Sequence, residues 1–449
     1  MRYAKKILAL AGLCLGITTI TMAENLTSES FTLHQAIDYA LLHNPDLQIM
    51  QNRIQQANTQ LDQAMSAFYP EVKARLGYEH SDNPARAFAM IIAQRRLNLS
   101  GGTDFNHPGG VDNYRPEISL QYSLFRGGQD YYGGKAAQSG VDAAKLDKTT
   151  VRNQLIEMIT RSFYQYLAAL ENHKVTLHAI EAIESELKQS RLRYAAGTEL
   201  KSDVLSLEVQ AAAAHDQEIH AANVVKLIKT SLKILMGLTA EQTLALDSNH
   251  KPELPPEPAD FTQLLAKAMQ QRPDYQAADK RLQMAKLKLR AAQGVHLPSA
   301  NAYVNYGSDS KNIDFSSNRD NVTAGVMVEM SLFSGFRDSA KVDQAKHQLA
   351  IARKNLTKTR LQIENDVKSA RLKLAEALNR VNVAKASVAA SEEALRMVTA
   401  QRDSGVVTVT RFIEAQVARD QAHARHIAAY FDALGAQAQL NQAIGSIRD

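Results

Sequence analysis

Asn44-Pro45-Asp46 returns as Arg272-Pro273-Asp274, 228 residues further along the chain. At the same offset of 228, Ala40 falls on Ala268, Ala57 on Ala285, Pro70 on Pro298 and Tyr78 on Tyr306. Further on, Ser123-Leu124-Phe125-Arg126-Gly127 matches Ser331-Leu332-Phe333-Ser334-Gly335, now at an offset of 208. Gly197 then falls on Gly405, and Leu205 on Ile413. Three blocks in one order make the chain a duplication. The change of offset places an insertion of 20 residues between Tyr78 and Ser123. The copies meet at Pro252-Glu253-Leu254-Pro255-Pro256-Glu257-Pro258, a run that is neither helix nor central strand. The expected division is a first repeat over 24–250, a Pro-rich linker over 251–260 and a second repeat over 261–449.

Each half reads helix, strand, strand, very long helix, returning helix. The opening helices run from about Leu33 to Phe68 and from Phe261 to Val295, stopped by Pro70 and Pro298. The strands alternate. Val72, Ala74, Leu76 and Tyr78 oppose Glu71, Lys73, Arg75 and Gly77. Ile118, Leu120, Tyr122 and Leu124 oppose Glu117, Ser119, Gln121 and Ser123. Val322 through Leu332 repeats the pattern, and 299–307 keeps it less cleanly. Period two with one apolar face means a sheet with two different surroundings, and 9 to 11 residues is also the length of a tilted membrane strand. The connections, 79–116 and 307–321, are polar and read as exposed loops.

Two tracts without proline follow, about Gln129 to Ala196 and about Asp338 to Ser404. At 1.5 Å per residue each is a rod of roughly 100 Å. Val367, Leu374, Val381, Val388 and Leu395 stand seven apart, and Leu349, Leu356, Ile363, Ala370, Ala377 and Ala384 form the companion row. Ile159, Tyr166, His173, Ile180 and Leu187 occupy the equivalent row of the first half. Sustained rows of this spacing mean coiled-coil packing. Gly197 and Gly405 are placed to end the rods in a left-handed turn, so that the chain returns along about Ser202–Met236 and Thr410–Ile444.

The first residues set the compartment. Arg2, Lys5 and Lys6 precede an apolar run from Ile7 to Ile20, and Thr21-Met22-Ala23 ends in small residues. This is the pattern of an export signal cleaved after Ala23. Leu13 is too large to make Cys14 a lipidation site, and Cys14 is the chain's one Cys, so the mature protein has no disulfide. Removing three of the 52 basic residues leaves 49 against 47 acidic, near +2, too balanced for a nucleic-acid partner. After Ala23 no apolar run reaches about 18 residues, so a membrane would have to be crossed by a closed barrel. Four strands cannot close one. Two copies give a filled eight-stranded barrel, and three give twelve strands around an open lumen.

The paired openings, Leu33-His34-Gln35-Ala36 through Asn44-Pro45-Asp46 and Leu264 through Arg272-Pro273-Asp274, resemble the TolC-like outer membrane efflux family. So do the Ser-Leu-Phe-x-Gly strand ends and the tips carrying Asp203-Val204-Leu205 and Arg411-Phe412-Ile413. The resemblance covers about 30–445. It implies a mixed α and β membrane protein: a homotrimer with a twelve-stranded outer membrane barrel, continued by a helical periplasmic barrel with an equatorial girdle. It implies a passive exit duct for efflux or type I secretion, in outer membrane lipid, working with a periplasmic adaptor and an inner membrane transporter. It also implies a periplasmic end closed by links between helix tips and by acidic rings. Asp203, with Ser202 beside it, matches the acidic residue of the first tip. Where the second tip of the family often has two Asp, this chain has Arg411 and Glu414, and an Arg411–Asp203 link across tips is expected. At the positions of the family's tip-tying Arg and Tyr stand Val407 and Arg402.

No H-E-x-x-H, Walker A, G-x-S-x-G or G-x-G-x-x-G motif occurs, so no catalytic residue, cofactor or metal site is expected. His423 and His426 share a helix face, but two ligands are too few for structural zinc. His215 and His220 do not share a face well, and His173 sits in a heptad row. Two rival classes remain, a trimeric coiled-coil adhesin or spacer on a small barrel anchor, and a soluble periplasmic helical protein.

Overall fold

The computed structural model describes residues 30–98, 104, 106–248, 252–314 and 316–447. The expected export signal, residues 1–23, lies outside the described residues. The first half runs α1 Leu33–His43, α2 Pro45–Met65, β1 Glu71–Ser81, α3 Pro84–Ala93, β2 Val111–Arg126, α4 Gln129–Ala195 and α5 Lys201–Leu235. The second runs α6 Phe261–Gln271, α7 Pro273–Gln293, β3 Ser299–Ser308, β4 Asp320–Glu329, α8 Arg337–Asp403 and α9 Val409–Ala443. The rods α4 and α8 have 67 residues each.

The opening helices are each split in two, contrary to the single helices expected. Asn44 and Arg272, the residues before the prolines, are extended, with ψ of 127° and 120°. A proline ring excludes the helical region for the residue before it, while the proline itself suits the first turn of a new helix. The break has a use. Asn44 Nδ2 donates to Leu235 O at the end of α5 (2.9 Å), and its Oδ1 accepts from Asp46 N (2.8 Å). One side chain thus caps the start of α2 and the end of α5, and stacks the two helices end to end. Gly237 makes the approach possible: at φ +78° a Cβ there would sit 2.6 Å from His43 O. In the second half buried Arg272 donates to Ala443 O (3.3 Å) at the end of α9 and pairs with Asp274 and Asp366 (2.7 and 3.0 Å).

Two further differences concern the strands. The 79–116 connection contains α3, which the polar-loop reading missed. Asn83 caps it, Pro84 starts it, and Ala87 and Met90 pack on Val111. β4 ends at Glu329, so Met330 to Leu332 lie beyond it and are exposed.

The four strands form one antiparallel sheet, β1-β2-β3-β4. Its register puts Val72 opposite Leu120, Ile118 opposite Tyr306 and Tyr306 opposite Val322. Apolar side chains therefore share one face, and Val72, Leu76, Ile118, Tyr306, Val322 and Val326 are all exposed on it. The other face carries Lys73, Ser119, Asn305 and Thr323 in one row.

The helices meet through the predicted heptad rows. Ile363, Val367, Ala370, Leu374, Ala377 and Val381 are buried together with Ala429, Ala433 and Leu440 of α9. Leu155, Ile159, Phe163 and Tyr166 of α4 close on Leu232 of α5 and on Ala36 and Ala40 of α1. Ala at many contacts lets the axes approach closely and builds a wall of helices.

Candidate functional site

Two regions carry the chemistry, the sheet at one end and the helix tips at the other. The sheet presents an apolar face that is largely exposed among the described residues, and β1 and β4 are its two edges. In water such a face is an association surface, and an open edge is a template for another strand. In lipid the same face is at home, but every edge N–H and C=O must find a partner. No helix among the described residues is long and apolar enough to cross a membrane.

At the far end, Gly197 and Gly405 both adopt φ +75°, as the tip turns require. Thr198 N bonds Arg193 O and Val406 N bonds Gln401 O, both at 2.9 Å, closing the last turns of α4 and α8 alike. Leu187, Val204, Leu207 and Val409 form a small core, and Ile183, Val398, Phe412 and Ala415 a second above it, so the two tips pack as one body.

Buried in that body is an ion cluster. Arg402 Nε donates to Glu186 Oε1 (3.2 Å), and its Nη2 donates to Glu199 Oε1. Ser190 Oγ donates to the same Glu199 oxygen (2.7 Å). Arg193 approaches Glu186 (3.7 Å) and donates to Asp403 (3.4 Å). The Arg402 side chain is 9% exposed and that of Glu199 3%. Burial pushes the Glu186 carboxyl up, with Arg402 and then Arg193 pulling it down. The bonds run from α8 to α4 and its turn, so separating the coils would strand a buried charge on each side.

The expected tip residues lie around this cluster but outside it. Asp203 is half-buried in the first turn of α5 beside exposed Ser202, where a carboxylate is favoured by the helix dipole. Arg411 Nη1 donates to Glu414 Oε2 on its own helix (3.1 Å), and the Arg411–Asp203 link is absent from the ion pairs of the described residues. Arg402, expected only as a replacement, bonds both Glu186 and Glu199 across the tips. Its partners were missed because neither Glu186 nor Glu199 falls in a motif. The available signal was register: Arg402 stands seven residues after Leu395, a basic side chain in the apolar row that starts at Val367.

Three of the histidines bridge neighbouring helices. His215 Nε2 meets Glu184 Oε1 (3.0 Å) between α5 and α4, and His423 Nε2 meets Glu392 Oε1 (2.9 Å) between α9 and α8. These pairs are equivalent at the offset of 208. His173 joins Glu218 at 2.8 Å. Among the described residues no three His, Cys, Asp or Glu side chains gather as metal ligands.

A sheet whose outer face suits lipid, continued by a wall of helices that turn back at Gly197 and Gly405, is the subunit of a channel-tunnel of the outer membrane. The outer membrane efflux protein profile matches residues 36–238 and 264–446, once in each half, and the chain belongs to this family. Protein CyaE of Bordetella pertussis is 24% identical over 72% of this chain, a match spanning 64% of CyaE's own length. Outer membrane protein TolC of Vibrio cholerae is 21% identical over 81% of this chain and 86% of its own. The solved outer membrane protein VceC of Vibrio cholerae superposes with a TM-score of 0.78 at 19% identity, covering 92% of this chain and 96% of that one. Membership places the sheet in the outer membrane and the helices in the periplasm, and a trimer is the assembly consistent with the family. The adhesin alternative finds no support in these comparisons.

Proposed function

We propose that this chain is the passive exit duct of an efflux or type I secretion assembly, a homotrimer served by a periplasmic adaptor and an inner membrane transporter. The observation that carries the reading is the bare apolar sheet face between two unpaired edge strands. Three sheets edge to edge make twelve strands and satisfy every edge. A helical seam agrees with this. α8 packs on α7 and α9 through one side and leaves Ile351, Leu361, Leu372 and Val383 exposed on the opposite side. On the other margin of the chain, α5 exposes Leu205, Val209, Leu227 and Ile234. Each stripe is the surface a sister subunit would bury. The reading includes export of the chain with loss of residues 1–23, and a duct built from repeats 24–250 and 261–449 joined by 251–260. It assigns the duct no chemistry of its own; energy comes from the transporter.

The Arg402 cluster is the closure of the periplasmic end in this reading, and Asp203 and Glu414 are the acidic groups that cargo meets on entry, beside the turns at Gly197 and Gly405. The test is planar-bilayer recording of purified trimers. Wild-type protein is expected to show small, steady conductance, and Arg402→Ala a larger one. Monomeric, non-conducting protein would sink the duct.

A further inference from the structure

The β1–β2 connection holds a helix that the β3–β4 connection lacks. It does not project away from the strands. Arg86 at the start of α3 bonds Glu79 of β1. Gln94 at its end, 1% exposed, donates to Asp112 O (2.7 Å) and Asn113 Oδ1 (3.0 Å) of β2. Arg95 Nη2 reaches Asp320 O at the start of β4 (3.0 Å). Below the helix, Asn113 Nδ2 and Asn321 Nδ2 both donate to buried Asp309 (2.7 and 3.0 Å), so the polar bonds run across the sheet.

Glu79, Asn113 and Asn321 all stand on the polar face, in the alternation set that includes Lys73, Ser119 and Thr323. Val111 belongs to that set too, and it is buried under Ala87 and Met90. The helix therefore lies on the side of the sheet that faces away from lipid. Arg95 holds a left-handed φ of 52°, which costs a residue with a Cβ about 1 kcal/mol. That conformation ends α3, with Arg96 N bonding Ile91 O (3.0 Å), and turns the Arg95 side chain to β4.

We propose that α3 is an inward-folded constriction at the external mouth, a size filter for cargo at the opposite end from the tip cluster. The proposal rests on the trimeric barrel reading and is independent of the tip closure. Twelve strands about 4.8 Å apart and tilted about 40° enclose a backbone radius of roughly 12 Å. A helix laid on the inner wall takes up about 10 Å of that radius. Three copies leave little open space, and the free side of each, Ala85, Ala89 and Ile92, looks toward the axis.

The test uses Ala89→Cys in the full-length trimer, with wild-type protein as the reagent control. A short bis-maleimide is expected to join neighbouring subunits into covalent dimers. A cationic methanethiosulfonate added from the hairpin side is expected to lower single-channel current in up to three steps. Replacing residues 84–96 by a Gly-Ser linker should raise the largest polyethylene glycol admitted from that side and leave the limit from the periplasmic side unchanged. Conducting trimers that label fully at position 89 with neither crosslinks nor loss of current overturn the constriction and leave the duct standing. Trimers that never conduct overturn the duct and the constriction with it.

Discussion

The two halves of the chain share four helices of identical length in identical order, 11, 21, 67 and 35 residues, yet they differ at the tip, at the stacked helices and at the mouth. At the tip the two buried carboxylates, Glu186 and Glu199, come from the first half and the guanidinium they share, Arg402, from the second. At the offset of 208, Tyr194 stands where Arg402 does, and Val407 where Glu199 does. At the stacked helices the first half uses a neutral amide, Asn44, on Leu235 O, and the second half a guanidinium, Arg272, on Ala443 O. At the mouth only the first hairpin carries α3. Duplication builds the wall, because a wall needs equal rods; closure and filtering need unlike partners, so they sit where the copies have diverged.

The largest effect expected from breaking this asymmetry is at Arg402. Arg402→Ala leaves Glu199 buried without a cation and Glu186 with only Arg193 at 3.7 Å, at a cost of about 3–5 kcal/mol to the tip contact. Amide exchange should accelerate around 186–199 and 402–409, with higher conductance. Equal exchange in mutant and wild type would refute the lock. The pH response has a definite sign. Glu186 titrates higher in the folded tip than in the unfolded chain, chiefly through burial. Its contribution is full below the ordinary carboxylate value of about 4.3 and is lost as pH rises through the raised value. Mild acidification should therefore raise protection at the Glu186 segment relative to the intrinsic exchange rate at each pH; lower protection would contradict the burial argument.

The two splices should rank next. Arg272→Ala removes a buried cation bonded to Asp274, Asp366 and Ala443 O, a loss of about 1.5–3 kcal/mol on the scale of hydrogen bonds to charged groups. Asn44→Ala removes a helix cap, about 1 kcal/mol. Thermal dissociation of the trimer, followed by its heat-dependent gel shift, should fall further for Arg272→Ala. Equal falls would mean that the amide and the guanidinium are interchangeable here, and the reverse order that the cap outweighs the ion pairs.

Much of this was legible in the residues. Proline-free tracts flanked by doubled glycines gave the rods to within about a residue, since a long helix has many positions voting for one period. Alternation gave the two faces of the sheet for the same reason. What escaped was decided by single residues or by contacts across the chain. The extended Asn44 and Arg272 follow from the next residue being Pro, a local rule overruled by the strong helical period around it. α3 hides in ten residues whose Asn83-Pro84 start is its plainest mark. The Arg402 partners lie 216 and 203 positions away, and no spacing rule reaches that far.

The smallest effect sharpens the comparison most cleanly, because it asks one tip to imitate the other. α9 begins at Thr408, whose hydroxyl accepts from Arg411 N (3.3 Å). α5 begins at the equivalent Leu200, which offers no side-chain cap and is 68% exposed. Nothing packed is lost on replacing Leu200, and the free N–H groups of the first turn gain an acceptor. Leu200→Ser should therefore stabilise the first tip by about 1 kcal/mol, near the typical value of such a cap. Exchange at 201–204 should slow while 409–412 stays unchanged. If both tips respond together, they open as one unit through the Leu187, Val204 and Val409 core; if only the first responds, each coil frays on its own and the Arg402 cluster alone couples them.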